Sequence, residues 1–171
     1  MQQWRVTKFD PRHRDRRGRF LADDWTAVSD IGSEYGGTVL TLKAYLAVET
    51  AYVDAAMHFV REVGVETLTI IGLEVDDHVS LDDDPAHGID LDPGFTPREG
   101  QHVSGAAIEQ LIRLNLRSLL WCKLEEPGRM FLHFGHDYYM YVGSRSPTPR
   151  SVDHARQLGL FVEPMTSPYY R

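Results

Sequence analysis

Apolar side chains recur at three- and four-residue steps from Leu42 through Tyr45, Val48, Tyr52, Ala56 and Phe59 to Val63. That period places side chains on one face of an α-helix, so a long helix is predicted, starting at Thr38 or Thr41 and closed by Gly64. A second helical run, Ile108, Leu111, Ile112, Leu116 and Leu119, follows Ser104 as its cap, and a short third run extends from Ser151 to Leu158. Asp23 or Asp24 is placed to cap another short helix carrying Trp25, Val28 and Ile31, stopped by Gly32. Gly36-Gly37 then breaks the chain.

Elsewhere the pattern changes to alternation, the signature of a strand. Trp4 to Phe9 alternates until Asp10-Pro11, and Thr67 to Leu73 is rich in β-branched residues and reads as a buried strand. Three further runs, Leu120–Glu125, Arg129–Phe134 and Asp137–Val142, are joined by Pro127-Gly128 and Gly135-His136 and predict a three-stranded meander. Leu160–Val162 is a candidate edge strand. The sum is an α+β fold: a mostly antiparallel sheet, with the meander in its C-terminal half, packed against two main helices. All 171 residues are expected in one domain, with no internal repeat.

Glu74 to Glu99 fits none of these patterns. With prolines at 85, 93 and 97 it is long for a loop in a compact domain, which points to function or mobility; a short strand near Val79–Leu81 would not alter that. Charge sharpens the point. Residues 1–19 carry seven basic and two acidic side chains, a balance of +5, so the rest of a chain of net charge −7 carries −12. From Glu62 to Pro97 there is no Lys or Arg against ten acidic residues: Glu62, Glu66, Glu74, Asp76, Asp77, Asp82, Asp83, Asp84, Asp90 and Asp92. Like charges so dense must be solvated, neutralised by a cation, or faced by basic groups of a partner. The calcium-loop template fails on this stretch. Counted from Asp82, position six is His87 where glycine is required, and position twelve is Pro93 where glutamate is required.

The basic segment, about residues 10–19, contains Arg12, Arg14, Arg16, Arg17 and Arg19. It is a loop or hairpin that contacts phosphate, or folds onto the chain's own acidic loop, or joins copies of the chain. The −12 remainder would repel a nucleic-acid backbone, so nucleic acid is not the expected partner. Hydrophobic residues at 42% and charged residues at 25% are ordinary for a globular protein. No apolar stretch is long enough for a membrane span, no signal-peptide core is seen, and the cytoplasm is the expected location. The one cysteine, Cys122, sits among Leu119, Leu120 and Trp121 as a small hydrophobe.

Two sets of residues are candidates for function. Asp76, Asp77, Asp82, Asp83 and Asp84, with Tyr139 and Tyr141 sharing one face of the last meander strand, form a surface for a basic protein partner. This predicts a non-catalytic acidic binding protein, of which an immunity- or antitoxin-type inhibitor is one form. The alternative is a small metal-dependent hydrolase using His133, His136 and Asp137, with Asp76 or Asp77 added from the loop. Alternation puts His133 and His136 on opposite faces unless the Gly135 turn reorients them. Glu49, in the long helix, becomes an acid of raised pKa if buried, and otherwise an exposed or hydrogen-bonded side chain. No serine-nucleophile elbow, phosphate-cradling loop, dinucleotide fingerprint or paired cysteines occur, so neither a cofactor nor a metal is expected.

Overall fold

In the computed structural model, which describes residues 1–75 and 85–170, the first helical run becomes α1 (Leu42–Val63). Thr41 Oγ1 accepts the Ala44 N–H at 3.1 Å to cap its start, and Gly64, at φ +70°, turns the chain off its end in the left-handed conformation. The buried stripe runs Tyr45, Glu49, Tyr52, Ala56 and Phe59, so Glu49 takes the core position that the spacing had assigned to Val48.

Strand β1 (Gln2–Thr7) precedes a two-residue hairpin, β2 (Glu34–Tyr35) and β3 (Thr38–Val39), folded at Gly36-Gly37. After α1 come β4 (Leu68–Glu74), β5 (His102–Val103) and α2 (Ala106–Leu116). The meander is β6 (Trp121–Glu126), β7 (Met130–Gly135) and β8 (Tyr139–Ser144); α3 (Pro149–Gln157) and β9 (Phe161–Pro164) complete the described chain. Seven strands form one sheet in the order β5-β4-β6-β7-β8-β1-β9, with every neighbouring pair antiparallel. This is the α+β architecture that the alternation of periods predicts. No helix of the described residues is long and apolar enough to cross a membrane.

Several boundaries move for identifiable reasons. The helix expected after Asp23 or Asp24 is replaced by one 3₁₀ turn, Val28–Asp30. Asp30 Oδ2 takes the N–H groups of Thr26 and Ala27, and Asp24 Oδ1 takes that of Trp25, so side chains satisfy the backbone without a helix. Ser104 does not cap α2; Gly105, at φ +50°, occupies that position. The same helix stops short of Leu119 because Asn115 bonds the Leu111 carbonyl and the Cys122 N–H, with Ser118 at φ +57°. β8 starts two residues late, since His136–Tyr138 form a three-residue loop with φ +62° at Asp137 and at Tyr138. A bulge around Gly72 shifts the β4–β6 register.

The two faces of the sheet differ. Val6, Leu68, Ile70, Cys122, Leu124, Leu132, Phe134, Met140 and Val142 join the helices in one buried hydrophobic cluster. On the opposite face, Phe131, His133, Tyr141 and Gly143 are also buried, covered by the chain's terminal segments. Gly143 has no room for a side chain, because an added Cβ would lie 2.0 Å from the Phe131 ring. Gly143→Ala is therefore expected to lower unfolding free energy by about 1–3 kcal/mol as the ring is displaced. Urea unfolding measures this, and a variant as stable as the parent would show that the two strands do not pack this closely.

Candidate functional site

His133 does not meet His136 and Asp137. It sits in β7 on the face away from the helices, fully buried, while His136 and Asp137 are exposed in the following loop. Both ring nitrogens are occupied: Nε2 is 2.9 Å from Glu125 Oε1 and Nδ1 is 2.9 Å from Ser167 Oγ. A carboxylate only accepts, so Nε2 carries the proton and Nδ1 accepts from the Ser167 hydroxyl. Among the described residues no three His, Cys, Asp or Glu side chains are grouped to hold a metal ion. Asp76 and Asp77, the proposed further ligands, lie outside the described residues.

Glu125, His133 and Ser167 have the connectivity of a carboxylate–imidazole–hydroxyl relay. The hydroxyl is not presented to a substrate, however: Ser167 is 2% exposed, and its Oγ accepts the Tyr169 N–H at 3.2 Å. What the relay does is seat the C-terminal segment. Ser167 N–H bonds Gln3 Oε1, Tyr169 packs against Trp121, His133 and Tyr141, and Tyr170 packs against Phe131, which itself stacks on the His133 ring at 4.0 Å. Burial pushes the imidazole pKa down to about 4, against the opposing pull of Glu125.

Tyr139 and Tyr141 do share this outer face, as alternation requires, but they form no exposed aromatic patch. Tyr141 is 8% exposed beneath Tyr169, and Tyr139 is half-buried beneath the basic loop, where its hydroxyl accepts from Arg14 at 3.0 Å. Tyr138 instead points inward against Trp25, Tyr45 and Tyr52. The basic segment folds onto its own sheet: Arg14 also donates to the Gly18 carbonyl and lies 3.9 Å from Glu163, while Arg12 pairs with Asp10. Arg16, Arg17 and Arg19 remain exposed.

Of the acidic stretch, Asp76, Asp77, Asp82, Asp83 and Asp84 lie outside the described residues, as does the short strand considered near Val79–Leu81. The part from Pro85 onward is anchored at three points. Arg117, buried in the turn after α2, grips Glu49 in a bidentate pair (Nε to Oε1 2.7 Å, Nη2 to Oε2 2.8 Å). Its remaining donors reach the loop, Nη1 to the Ala86 carbonyl and Nη2 to that of Ile89, both at 3.0 Å. Gln110 Nε2 bonds the Asp92 carbonyl at 2.9 Å. Glu99 takes the N–H groups of Leu73 and Gly72 at the β4 bulge, and these bonds hold its carboxyl below the usual range.

Arg113 adds a second cation to Glu49 at 2.7 Å, and Tyr45 donates to it at 3.3 Å. Glu49 is thus neither exposed nor alone. Beside this network, between the loop and α2, a cleft of about 380 Å³ is rimmed by Asp90, Asp92, Glu109 and Arg113. The Asp90 side chain is 55% exposed and 3.8 Å from Arg113. Glu62, by contrast, is turned inward as an anchor for α3, accepting from Arg150 and Ser151. Cys122 is buried with its thiol pushed up to about 11, the inert hydrophobe expected of it.

The Glu49 network had a sequence signal that periodicity contained. Glu49 fits the step between Tyr45 and Tyr52 as well as Val48 does, and Arg113 and Arg117 lie four residues apart within an apolar run. Glu125 and Ser167 had none, being 8 and 34 residues from His133. Compared with protein-family models, curated proteins and solved structures, the chain finds no significant match.

Two measurements follow from these contacts. Arg117→Met leaves the Glu49 carboxylate with one cation and removes the loop anchor. A loss of about 3–5 kcal/mol is expected, together with faster hydrogen exchange at the Ile89 amide, which bonds the Ala86 carbonyl. Unchanged exchange there would mean the guanidinium does not hold the loop. For His133, the folded pKa of about 4 lies below the free value of 6.5. Between those pH values the unfolded chain takes up a proton that the folded chain does not. The resulting stability is complete above about pH 6.5 and declines as pH falls toward 4, by on the order of 3 kcal/mol. Urea unfolding across that window should show the slope, and His133→Gln should flatten it.

Proposed function

We propose that this chain is a non-catalytic acidic binding protein that captures a basic protein partner on the loop between β4 and β5. The observation that carries the proposal is the anchoring of that loop. Arg117, Gln110 and Glu99 fix its backbone on α1, α2 and β4, so Asp90 and Asp92 stand beside Glu109 at the rim of a cleft. A preordered rim avoids part of the entropy cost of ordering a loop on association.

Arg113 lines the same cleft but directs Nη1 into Glu49, so the rim keeps a negative balance. A Lys or Arg side chain entering between Asp90, Asp92 and Glu109 would form charge-assisted hydrogen bonds, and the surrounding acidic stretch would steer it there. Asp76, Asp77, Asp82, Asp83 and Asp84 add five further charges to the same segment of chain. An immunity- or antitoxin-type inhibitor, masking the cationic cleft of another protein, is the form this reading takes by analogy with that class. The cytoplasm is its proposed setting. The hydrolase alternative loses its geometric support, since His133 is sealed beneath the C-terminal segment.

The test is affinity capture from the native host's lysate with the parent chain and with the triple variant Asp90→Asn, Asp92→Asn, Glu109→Gln. Basic proteins should be retained by the parent at low salt, released on raising ionic strength to about 0.5 M, where screening is short-ranged, and retained much less by the variant. Capture that ignores both salt and the three substitutions would sink the proposal.

A further inference from the structure

The basic segment is a hairpin with two distinct ends. Its base is fixed to the outer face of the sheet, where Arg14 donates to the Tyr139 hydroxyl at 3.0 Å and the Phe20 ring lies 4.7 Å from that of Phe9. A bridge between Arg14 and Phe20 closes the base. The tip is ordered by bonds of its own. Asp15 Oδ1 takes the N–H groups of Arg17 and Arg19 at 2.8 and 2.9 Å, the Asp15 carbonyl takes that of Gly18, and Gly18 turns the chain at φ +80°. Arg16, Arg17 and Arg19 stand exposed at this tip, and their guanidinium groups meet no carboxylate among the described residues. Three cations on a preordered turn call for carboxylates, which a guanidinium grips through parallel N–H bonds.

The acidic rim has such carboxylates, on the other side of the molecule. Asp90, Asp92 and Glu109 line the cleft beside α2, and α2 packs through Ile108, Leu111 and Ile112 into the core on the helix side of the sheet. The hairpin base is bonded to Tyr139 on the opposite side. Tip and rim therefore do not pair within one chain, and a second copy brings them together. Charge argues for the same occupant. Apart from its arginine tip the chain is strongly acidic, with a net charge of −7. A phosphate polymer or an anionic membrane, negative over its whole extent, would be repelled by that excess. A second copy offers its carboxylates at one place and carries a tip of its own for a further contact. We propose that copies of this chain associate head to tail, the arginine tip of one seated in the rim of Asp90, Asp92 and Glu109 of the next. This rests on the rim's taking basic side chains, as proposed above, and names the chain itself as a partner for it.

The test is sedimentation equilibrium of the full chain from about 10 μM to about 1 mM in about 0.1 M salt. There a Debye length of about 10 Å screens the like net charge of two copies but not the groups in contact. A Kd on the order of 100 μM is expected of a small polar contact, so the mean mass should climb above that of one chain across this range. Two triple variants remove one side each: Arg16→Gln, Arg17→Gln, Arg19→Gln at the tip, and Asp90→Asn, Asp92→Asn, Glu109→Gln at the rim. Each alone should stay a monomer, and either one decides the matter if the other does not fold. An equimolar mixture should form a one-to-one pair, because each variant keeps the half of the contact that the other lacks. A parent that stays monomeric up to about 1 mM would overturn the proposal. So would a variant that associates as strongly as the parent, a mixture of folded variants that does not pair, or a monomeric parent whose tip instead binds anionic vesicles or a phosphate polymer. A monomeric parent that still captures basic proteins through its rim overturns this inference alone. Copies that associate through the rim while no basic protein is captured overturn only the reading of a separate partner.

Discussion

A carboxylate shut away from solvent in the middle of a 22-residue helix is the constraint from which much of this molecule follows. Removing a charge from water costs several kcal/mol unless cations and donors replace the lost hydration. Glu49 obtains that replacement from two arginines and a tyrosine hydroxyl. For both arginines to reach it, α2 must lie against α1 with Arg113 and Arg117 turned inward. Arg117 then has donors left over, and among the described residues these reach the Ala86 and Ile89 carbonyls of the neighbouring loop. The described part of the acidic loop is held both by satisfying a buried ion and by the packing of its own Ala86, Leu91 and Phe95 on the core. A core charge and an acidic surface segment become one mechanical unit.

The sheet divides the remaining labour between its faces. The helix side is packed in the usual way, with aliphatic and aromatic side chains from every long strand. The opposite side is covered by the chain's own terminal segments, which bring polar anchors with them: Arg14 to Tyr139 near the N-terminus, and Ser167 to His133 near the C-terminus. Covering a sheet with two loops in place of a helix layer leaves polar groups buried, and each needs a partner. His133 meets that need by bonding on both nitrogens. Burial holds it neutral against the pull of Glu125, and the two bonds together with that burial deny it to metal or substrate. Tyr139 and Tyr141, whose alternation suggested a recognition surface, are used to seat these segments.

How much of this was legible depends on how far apart the interacting residues are. The long helix, the meander and the antiparallel α+β class are expressed by local periods of 3.6 and 2 residues, and these appear in the fold with boundary shifts of a few positions. Those shifts came from side chains that bond nearby backbone, as Asp30 does at Thr26 and Ala27, or from left-handed residues such as Asp137 and Tyr138. Both depend on geometry that hydrophobic pattern does not encode. The acidic character of the 62–97 segment was equally plain, because charge is additive along a chain and needs no fold to be counted.

What tertiary structure alone decided is which of these residues meet. Glu49 and Arg113 are 64 positions apart, Glu49 and Arg117 are 68, and His133 and Ser167 are 34. Pairing across such distances is set by how helices and sheet pack, and many partners are sterically equivalent until they do. The amino-acid order by itself determined the elements, their handed periods and where the charge lies. Packing determined that a glutamate on a helix would hold a loop, that a histidine would be sealed, and that a lysine would be buried between two aromatic rings and a carboxylate, because desolvation is a property of the assembled interior.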